Sequence, residues 1–315
     1  MYYKIIKLKF LTEVHFGEKS LDKGNKTIYA DSIFSALCHE ALNFGETALD
    51  DLFSMANAGN LLISDAMPYI DEEFYIPKPK IKIIYNINDE FSNKAKVLKK
   101  IDYVPVSKFD DYLKGRLDIE KTADNLGNVG DFLLRRRAFI QRADDTLPYG
   151  LEVFSFSENS GLYICVGYNS EKEYSFIETL FNQLSYTGIG GKVSSGLGKF
   201  RCSPADIPEN LKNRLSANEI NKDSIFNKYM SLSICLPKDD ELDSALEDAV
   251  FLLKRRGGFI NSGSCVGTAK KKKELYVFQS GSVFKNRFKG DIYDVASDMV
   301  PHKVYRYARP MFMGV

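Results

Sequence analysis

The amino-acid sequence predicts an α+β protein of two tandem ferredoxin-like (RRM-like) domains, the second degenerate, with a thumb-like insertion in the first. Each half of the chain opens on a strand, a loop and a helix and then adds further strands, which is the order of a β-α-β-β-α-β unit. The second half has no clear second helix, so it is read as a degenerate copy. A sheet backed by two helices leaves one sheet face for binding.

The first half shows the expected periodicities in order. Residues 2–14 alternate between apolar and polar, which predicts a half-buried strand followed by a loop. Asp31 or Ser32 can cap a helix that runs to Phe44, with Gly45 as a left-handed C-cap. A second helix is predicted over 173–186. Further strands are predicted between turn signals at 60–70, 73–79, 150–157 and 161–169, the last two as a hairpin.

Breaks in periodicity give the domain boundaries. The first domain spans 1–203 and carries an insertion at about 81–149, which we expect to project from its core. The polar, proline-containing segment 204–223 is predicted to be a linker. The second domain, 224–315, contains a predicted helix over 241–256, a second glycine-rich loop and several strands.

Bulk composition excludes some classes of protein. With 43 basic and 42 acidic residues the chain is no polycation, so any nucleic-acid surface must come from local clustering. Five widely spaced cysteines indicate buried free thiols in a reducing compartment. The N-terminus lacks a signal-peptide pattern, and no apolar run is long enough to span a bilayer, so we expect a cytoplasmic protein without a membrane partner.

The stretch from Gly188 to Phe200, GIGGKVSSGLGKF, is the most informative segment. It fits neither the Walker nor the dinucleotide-binding pattern, and it joins a predicted helix to a strand rather than a strand to a helix. A backbone surface remains, with lysines and hydroxyls that can hold phosphodiester and ribose oxygens. Those side chains are Lys192, Ser194, Ser195 and Lys199. The alternative is a glycine-rich turn that serves only helix–sheet packing.

The glycine segment, between a helix and a short strand, resembles the C-terminal glycine-rich loop of the RAMP superfamily of CRISPR proteins. The motifs VHFGE, YADSIFSALCHEAL, FYIPKP and YARPMF, taken in order, resemble the subunit-four type of the type III-A (Csm) effector complex. This resemblance implies a non-catalytic scaffold that holds the 5′ handle of the CRISPR RNA and docks the large polymerase/cyclase-like subunit beside the backbone RAMP subunits. It also implies a thumb that reaches the guide–target duplex, so target RNA is contacted indirectly.

The resemblance also implies site residues in this chain. The handle backbone is expected to contact Gly190, Gly191, Lys192, Ser194, Ser195 and Lys199. His15 is expected beside the same RNA. The arginines of the thumb, which are expected to face phosphates, are Arg135, Arg136 and Arg137.

Other candidate residues lie in the second half. Arg255 and Arg256 either balance the C-terminal dipole of the predicted helix or open a loop in which Phe259 stacks on a base. Lys270–Lys273 is read as an exposed turn with weak phosphate attraction. The carboxylates show no metal-ligand spacing, so we expect no metal and no cofactor other than RNA.

Two further functions stay open at this point. Some superfamily relatives cut CRISPR RNA without metal, and His15 is the one candidate general base or acid for such an endoribonuclease. His39 and His302 are read as structural. The other possibility is a purely protein-binding ferredoxin-like module. RNA cleavage in chelator would favour the first, and a lack of RNA retention at low salt would favour the second.

Overall fold

The computed structural model describes residues 1–18, 20–83, 91–140, 146–216, 226–260, 270–298 and 300–315. Several sequence predictions fall partly outside these ranges. They are the insertion at 84–90 and 141–145, the linker at 217–223, and the second glycine-rich loop at 261–268 with Cys265.

The protein is α+β, and its largest sheet contains seven antiparallel strands among the described residues. Across the sheet the order is β11, β1, β10, β5, β6 and β7, with β4 also paired to β10. The ranges are β1 (Tyr2–Phe10), β4 (Leu62–Ile63), β5 (Met67–Ile70), β6 (Glu73–Pro77), β7 (Tyr103–Pro105), β10 (Ser160–Tyr168) and β11 (Phe200–Ala205). The strands predicted within 2–14, 73–79 and 161–169 are therefore present, whereas the one predicted at 60–70 is two separate strands, β4 and β5.

Helices cover one face of this sheet. They are α1 (Ala30–Asn43), α2 (Glu46–Ala58) and α6 (Glu171–Thr187), and the first and last match the predicted helices. Apolar side chains at helical spacing, such as Phe34 and Leu37 on α1 and Phe181 on α6, are fully buried against Leu8 of β1. Gly45 is not the C-cap of α1. It has φ 111° and lies at the N-cap position of α2, a helix that the sequence did not reveal.

The opposite face of the sheet is covered, which contradicts the expected free binding face. Ile5, Tyr163 and Cys165 point to this face and are fully buried. They pack in one core with Met230 and Met313 of the C-terminal half. Among the described residues this sheet therefore has no open face for a ligand.

Part of the predicted insertion belongs to the core, so the expectation that all of 81–149 projects is wrong. β7 pairs with β6, and the short helix α4 (Phe109–Leu113) buries Phe109 and Tyr112. The segment also contains α3 (Phe91–Lys100) and α5 (Ile119–Gly127).

A two-stranded ribbon follows these helices. It consists of β8 (Gly130–Ile140) and β9 (Thr146–Phe156), paired over their whole length. The hairpin predicted between 150–157 and 161–169 is therefore wrong, because β9 pairs with β8 while β10 lies in the large sheet.

The C-terminal half consists mainly of short strands. They are β12 (Tyr229–Ser231), β13 (Leu253–Arg256), β14 (Leu275–Phe278), β15 (Val283–Phe284), β16 (Ile292–Asp294), β17 (Tyr305–Tyr307) and β18 (Phe312–Gly314). The helix predicted over 241–256 is wrong, since only α8 (Leu242–Leu246) is helical and 253–256 pairs with β14. The predicted linker contains α7 (Glu209–Leu215), whose Leu211 and Leu215 are buried.

Three observations bear on composition-based expectations. Among the helices in the described ranges, none is both long and apolar enough to cross a membrane. The same residues contain no group of three His, Cys, Asp or Glu side chains placed to hold a metal ion. Cys165 and Cys235 are buried free thiols, and those of Cys38 and Cys202 are partly buried.

Candidate nucleic-acid interface

The glycine segment, 188–200, joins α6 to β11 as the sequence predicts, and it is tied to the chain that leaves β1. The Ile189 amide donates to the Gly198 carbonyl (3.0 Å), which closes the segment on itself. The Gly198 amide donates to the Glu13 carbonyl (2.9 Å), and the Gly191 amide donates to the His15 carbonyl (2.8 Å). These bonds hold one part of the segment rigidly against residues 13–15.

Close contacts with neighbouring atoms of the protein explain why most glycine positions of this segment carry no side chain. A Cβ on Gly198 would lie 2.1 Å from the Ile189 carbonyl oxygen, and the residue has φ 75°. A Cβ on Gly190 or Gly191 would lie 2.9 Å from an atom of His15. At Gly190, Gly191 and Gly198 these distances support the packing interpretation, because any side chain there would collide with the protein's own atoms. Gly196 differs, because a Cβ there would meet no atom within 4 Å.

The other part of the segment presents unused amides. Lys192 has a left-handed conformation (φ 61°, ψ 28°) and is followed by a 3₁₀ turn over Val193–Ser195. The amides of Lys192, Val193 and Ser194 donate to no acceptor among the described residues. Successive amides in such a turn form a nest, a concave site that binds anions. We call these three residues the amide nest, and the exposed hydroxyls of Ser194 and Ser195 lie on its turn.

Lys199, predicted to contact RNA, has a structural role in the fold. Its ammonium donates to the carbonyls of Tyr186 and Thr187 at the C-terminus of α6, the latter at 3.0 Å. Its amide donates to Thr12 Oγ1 at 3.0 Å. A cation that bonds the last carbonyls of a helix stabilises that terminus. Lys192 makes no such bond and lies with its Nζ 5.5 Å from the ring centroid of Tyr149.

His15 is buried rather than poised at the surface, with only 4% of its area exposed. Its Nδ1 lies 2.6 Å from the carbonyl oxygen of Glu152, and because a carbonyl oxygen only accepts, Nδ1–H donates this bond. The Glu152 carboxylate instead accepts from the Gly24 amide at 2.7 Å. This second bond ties β9 to β3 (Ser20–Asn25), which forms a hairpin with β2 (Phe16–Glu18) where the sequence predicted a loop.

A groove of about 330 Å³ runs beside the glycine segment. It brings together four predicted residues that are far apart in sequence: His15, Gly190, Gly191 and Arg256. Its other polar residues, which the sequence analysis missed, are Asn25, Thr27, Tyr29, Ser32, Ser35 and His39. Ser32, Ser35 and His39 recur at helical spacing on α1. A polar stripe beside the apolar one was therefore the sequence signal that could have revealed this groove wall.

Arg256 lies on β13 and not at the end of a helix, which corrects its predicted environment. Its Nε and Nη2 donate to the two carboxylate oxygens of Asp31 at 2.9 and 2.7 Å, and Nη2 also donates to Ser32 Oγ at 2.9 Å. The guanidinium stacks over the Tyr29 ring at 4.6 Å. A bidentate pair of this kind fixes the arginine's position on the groove wall.

Asp31 is a buried ionic centre and not the predicted N-cap. Besides Arg256, it accepts from Nη1 of the buried Arg306 at 3.1 Å. Burial opposes its charge, but the two guanidinium groups keep the pKa of Asp31 below its ordinary value. At the N-terminus of α1 the first amide is bonded by Asp65, whose Oδ1 accepts from the amides of Ala30 (2.8 Å) and Ile234 (3.1 Å). Burial raises the pKa of Asp65 to about 7.

The remaining second-half candidates lie off the groove wall. Arg255 forms an exposed ion pair with Glu274, so it does not act through a helix dipole. Phe259 is 59% exposed and pairs through its backbone with Lys271. An exposed ring is available for stacking, and this role of Phe259 stays a prediction.

The arginine triplet lies on β8, and strand alternation divides it between two faces. Arg135 and Arg137 share the face of their cross-strand partners Leu151 and Tyr149, while Arg136 points to the other. Arg135 pairs with Glu13. Leu197 of the glycine segment packs against Leu151 and Val153 of the same ribbon. Arg137 lies across from Tyr149, the ring that Lys192 contacts, so the ribbon presents Arg137 on the strand face that meets the glycine segment.

Two family models together match most of the chain. The model of the RAMP superfamily matches residues 7–201, which include most of the large sheet, α1, α6 and the glycine segment, so the fold and the site define a RAMP protein. The model of the CRISPR Csm4 C-terminal domain matches residues 225–315.

Curated relatives extend the match over the full length. The CRISPR system Cms protein Csm4 of Streptococcus thermophilus is 34% identical over 322 residues, covering 99% of this chain and 98% of the relative. The protein of that name from Mycobacterium tuberculosis is 31% identical over 302 residues, covering 96% and 94%. The chain belongs to the Csm4 family of the RAMP superfamily.

Solved structures share the fold. A chain of the Csm3–Csm4 subcomplex of a type III-A CRISPR-Cas interference complex aligns with a TM-score of 0.68 at 22% identity, covering 99% of each chain. A chain of a Csm1–Csm4 cassette in complex with pppApA aligns with a TM-score of 0.64 at 18% identity, covering 100% of this chain and 98% of the other. At these identities the likeness concerns the fold alone.

Proposed function

We propose that this chain is a non-catalytic, RNA-binding scaffold subunit of a type III-A CRISPR effector complex. In this role it holds the 5′ handle of the CRISPR RNA against the glycine segment. The observation that carries the proposal is the amide nest at Lys192–Ser194, whose three donors have no acceptor in the described part of the chain. Backbone amides beside lysine and hydroxyl groups bind phosphodiester oxygens without regard to base sequence.

The surroundings of the nest support a single RNA strand as the ligand. Lys192 and Arg137 add positive charge on one side, which favours phosphates. On the other side the groove offers hydroxyls and the Tyr29 ring as partners for ribose and base. Single-stranded RNA is recognised by this combination of backbone contacts, stacking and base-edge hydrogen bonds.

The strand order supports a ferredoxin-like first domain. β11, β1, β10 and β5 lie side by side, and α1 and α6 connect them as in a β-α-β-β-α-β unit. In this interpretation the C-terminal half is a degenerate second copy. The β8–β9 ribbon is the thumb, and its arginines reach the guide–target duplex, which gives the indirect contact with target RNA.

The partners follow from what the similar structures contain. They are described as a Csm3–Csm4 subcomplex and a Csm1–Csm4 cassette. We propose that this chain likewise assembles with a backbone RAMP subunit and with the large polymerase/cyclase-like subunit in the cytoplasm. A scaffold between two proteins and an RNA end needs no chemistry of its own.

The geometry around His15 favours a binding role over nuclease chemistry. Its Nδ1 is held by a backbone carbonyl and not by a carboxylate, and the ring is almost wholly buried. A general base needs access to the 2′-hydroxyl that it deprotonates, with a second group to protonate the leaving oxygen. The role proposed for His15 here is to fix the groove wall through its bond to the Glu152 carbonyl.

Substitution of Lys192 by Ala tests the proposal. We expect about tenfold weaker binding of single-stranded repeat RNA, roughly 1.4 kcal/mol, because one phosphate contact is lost. The slope of log K against log salt should fall by about 0.7. Both are measured by fluorescence anisotropy across a salt series. Lys199 is left intact, since its ammonium bonds the end of α6.

Lys172→Ala is the matched control. This lysine is exposed on the first turn of α6, at the opposite end of that helix from the glycine segment. It removes the same formal charge and should leave affinity and salt slope unchanged. Equal behaviour of the Lys192 and Lys172 variants, or no RNA binding by the unmodified chain, would count against RNA recognition at the nest.

A further inference from the structure

The ionic centre between α1 and the C-terminal half holds more cations than its carboxylate can pair. Arg256 and Arg306 together use both oxygens of Asp31. Nε of Arg306 is buried and has no acceptor among the described residues. The next acidic residue of α1, the buried Glu40, faces Asn43, whose amide donates to it at 3.3 Å. The centre therefore has donors in excess.

Lys272 adds a third positive charge to this centre. Its backbone amide donates to the Gly258 carbonyl at 2.8 Å, and the neighbouring Gly257 carbonyl accepts from Arg306 Nη2 at 3.1 Å. Lys272 and Arg306 are therefore both bonded to the Gly257–Gly258 backbone. Lys272 is half-buried, whereas Lys271 and Lys273 on either side are exposed. It forms no ion pair within the described ranges. Burial and the charge of Arg306 lower the pKa of Lys272.

Arg256 belongs both to this centre and to the groove wall. His39 and Arg256 both line the groove, with Ser35 one turn before His39 on α1. Burial of His39 lowers its pKa, and the charge of the nearby Lys272 lowers it further. A half-buried, unpaired cation is costly unless an anion compensates it. The groove is the route by which such an anion can arrive.

We infer that Lys272, His39 and Arg256 form a second phosphate site at the far end of the groove from the amide nest. It takes a backbone phosphate of the same RNA strand, so the strand runs from the nest along α1 toward the C-terminal half. This inference rests on the proposed function and adds Lys272 and His39 to the RNA contacts, where the sequence predicted an exposed turn and a structural histidine. An RNA phosphate is preferred over a free one because the groove links the two sites.

The test compares Lys272→Met with Lys273→Met in the full chain, using a single-stranded repeat RNA. Lys272→Met should bind more weakly, with a salt slope lower by about 0.7, because one phosphate contact is lost. Its Tm should be equal or higher, since a partly desolvated, unpaired charge has been removed. Lys273 is exposed and pairs with Asp298 at 3.0 Å, so its variant should bind RNA as the unmodified chain does.

Each other outcome has a definite meaning. Unchanged affinity and slope in Lys272→Met, with weakened binding in Lys192→Ala, overturns the second site and leaves the proposed function standing. A lower Tm in Lys272→Met shows a structural lysine and overturns the inference. If inorganic phosphate raises the Tm of the unmodified chain but not of Lys272→Met while RNA affinity is the same in both, the site binds free anion only. Absence of RNA binding by the unmodified chain overturns both proposals.

Discussion

At the scale of single residues, the glycine segment shows what sequence can and cannot reveal. Its position between a helix and a strand, its lysines and its resemblance to a superfamily loop were all readable in advance. Lys192 and Lys199, however, are equivalent in sequence and differ in the fold. Lys199 bonds carbonyls 12 and 13 positions earlier, at the end of α6, and no local pattern encodes that contact. The same holds for Gly190 and Gly191, whose neighbours are His15 and Phe16.

Gly196 and Gly198 separate backbone conformation from packing. Both have positive φ, 86° and 75°, but only a Cβ on Gly198 would clash, at 2.1 Å from a carbonyl oxygen. Gly196→Ala should therefore lower the free energy of unfolding by about 1–2 kcal/mol, the cost of a left-handed alanine. Gly198→Ala should cost at least twice as much. Urea unfolding monitored by circular dichroism measures both. Equal losses of stability in the two variants would show that the backbone shifts to relieve the clash at position 198 at no cost in free energy.

At the scale of elements, periodicity identified α1 and α6 but failed for 241–256. The apolar residues of that segment do recur at helical spacing, yet Leu246, Val250 and Leu253 are exposed. The backbone leaves the helix at Glu247, whose ψ is 119°, Asp248 follows with φ 50°, and residues 253–256 pair with β14. Pairing partners distant in sequence override a local pattern. For the same reason Asp31, a plausible N-cap by position, lies in an ion pair with arginines more than two hundred residues away.

The junction between α1 and the C-terminal half should make stability depend on pH through Asp65. Burial raises its pKa to about 7, from an unfolded value near 3.9. Between these values the folded state binds more protons than the unfolded state, so the free energy of unfolding falls as pH rises through this window. Asp65→Asn keeps an oxygen for the amides of Ala30 and Ile234 and removes the buried charge. At about pH 8 it should be more stable than the unmodified chain by about 1–4 kcal/mol.

Thermal unfolding followed from about pH 4 to 8 checks this expectation for Asp65. Asp51→Asn, at an exposed position of α2, is the control and should follow the pH dependence of the unmodified chain. A pH profile for Asp65→Asn that is parallel to the unmodified one would show that Asp65 does not titrate in this window.

At the scale of the whole molecule, both faces of the large sheet are covered within the described residues, so the proposed RNA contacts lie at a junction instead. The helices cover one side and the C-terminal strands and α4 cover the other. What remains is the edge where the glycine segment, α1 and β13 meet, which is where the groove lies. The sequence predicted the ligand class and several of the residues through its resemblance. It could not locate the groove, because the groove walls come from both halves of the chain and meet only when these halves pack together.

Co-purification tests the molecule as part of an assembly. A tagged chain expressed with the other effector subunits and a CRISPR array should retain those subunits together with RNA that begins with the repeat-derived handle. A variant with both Lys192 and Arg137 changed to Ala should keep the proteins and lose several-fold of the RNA, because both side chains flank the amide nest and neither lies in a buried core. Sequencing and quantification of the bound RNA give the result, with Lys172→Ala as the charge-matched control. Retention of the partner proteins with undiminished RNA in the double variant would place the RNA contact elsewhere on the surface, and loss of the proteins along with the RNA would mean that this face docks a subunit instead.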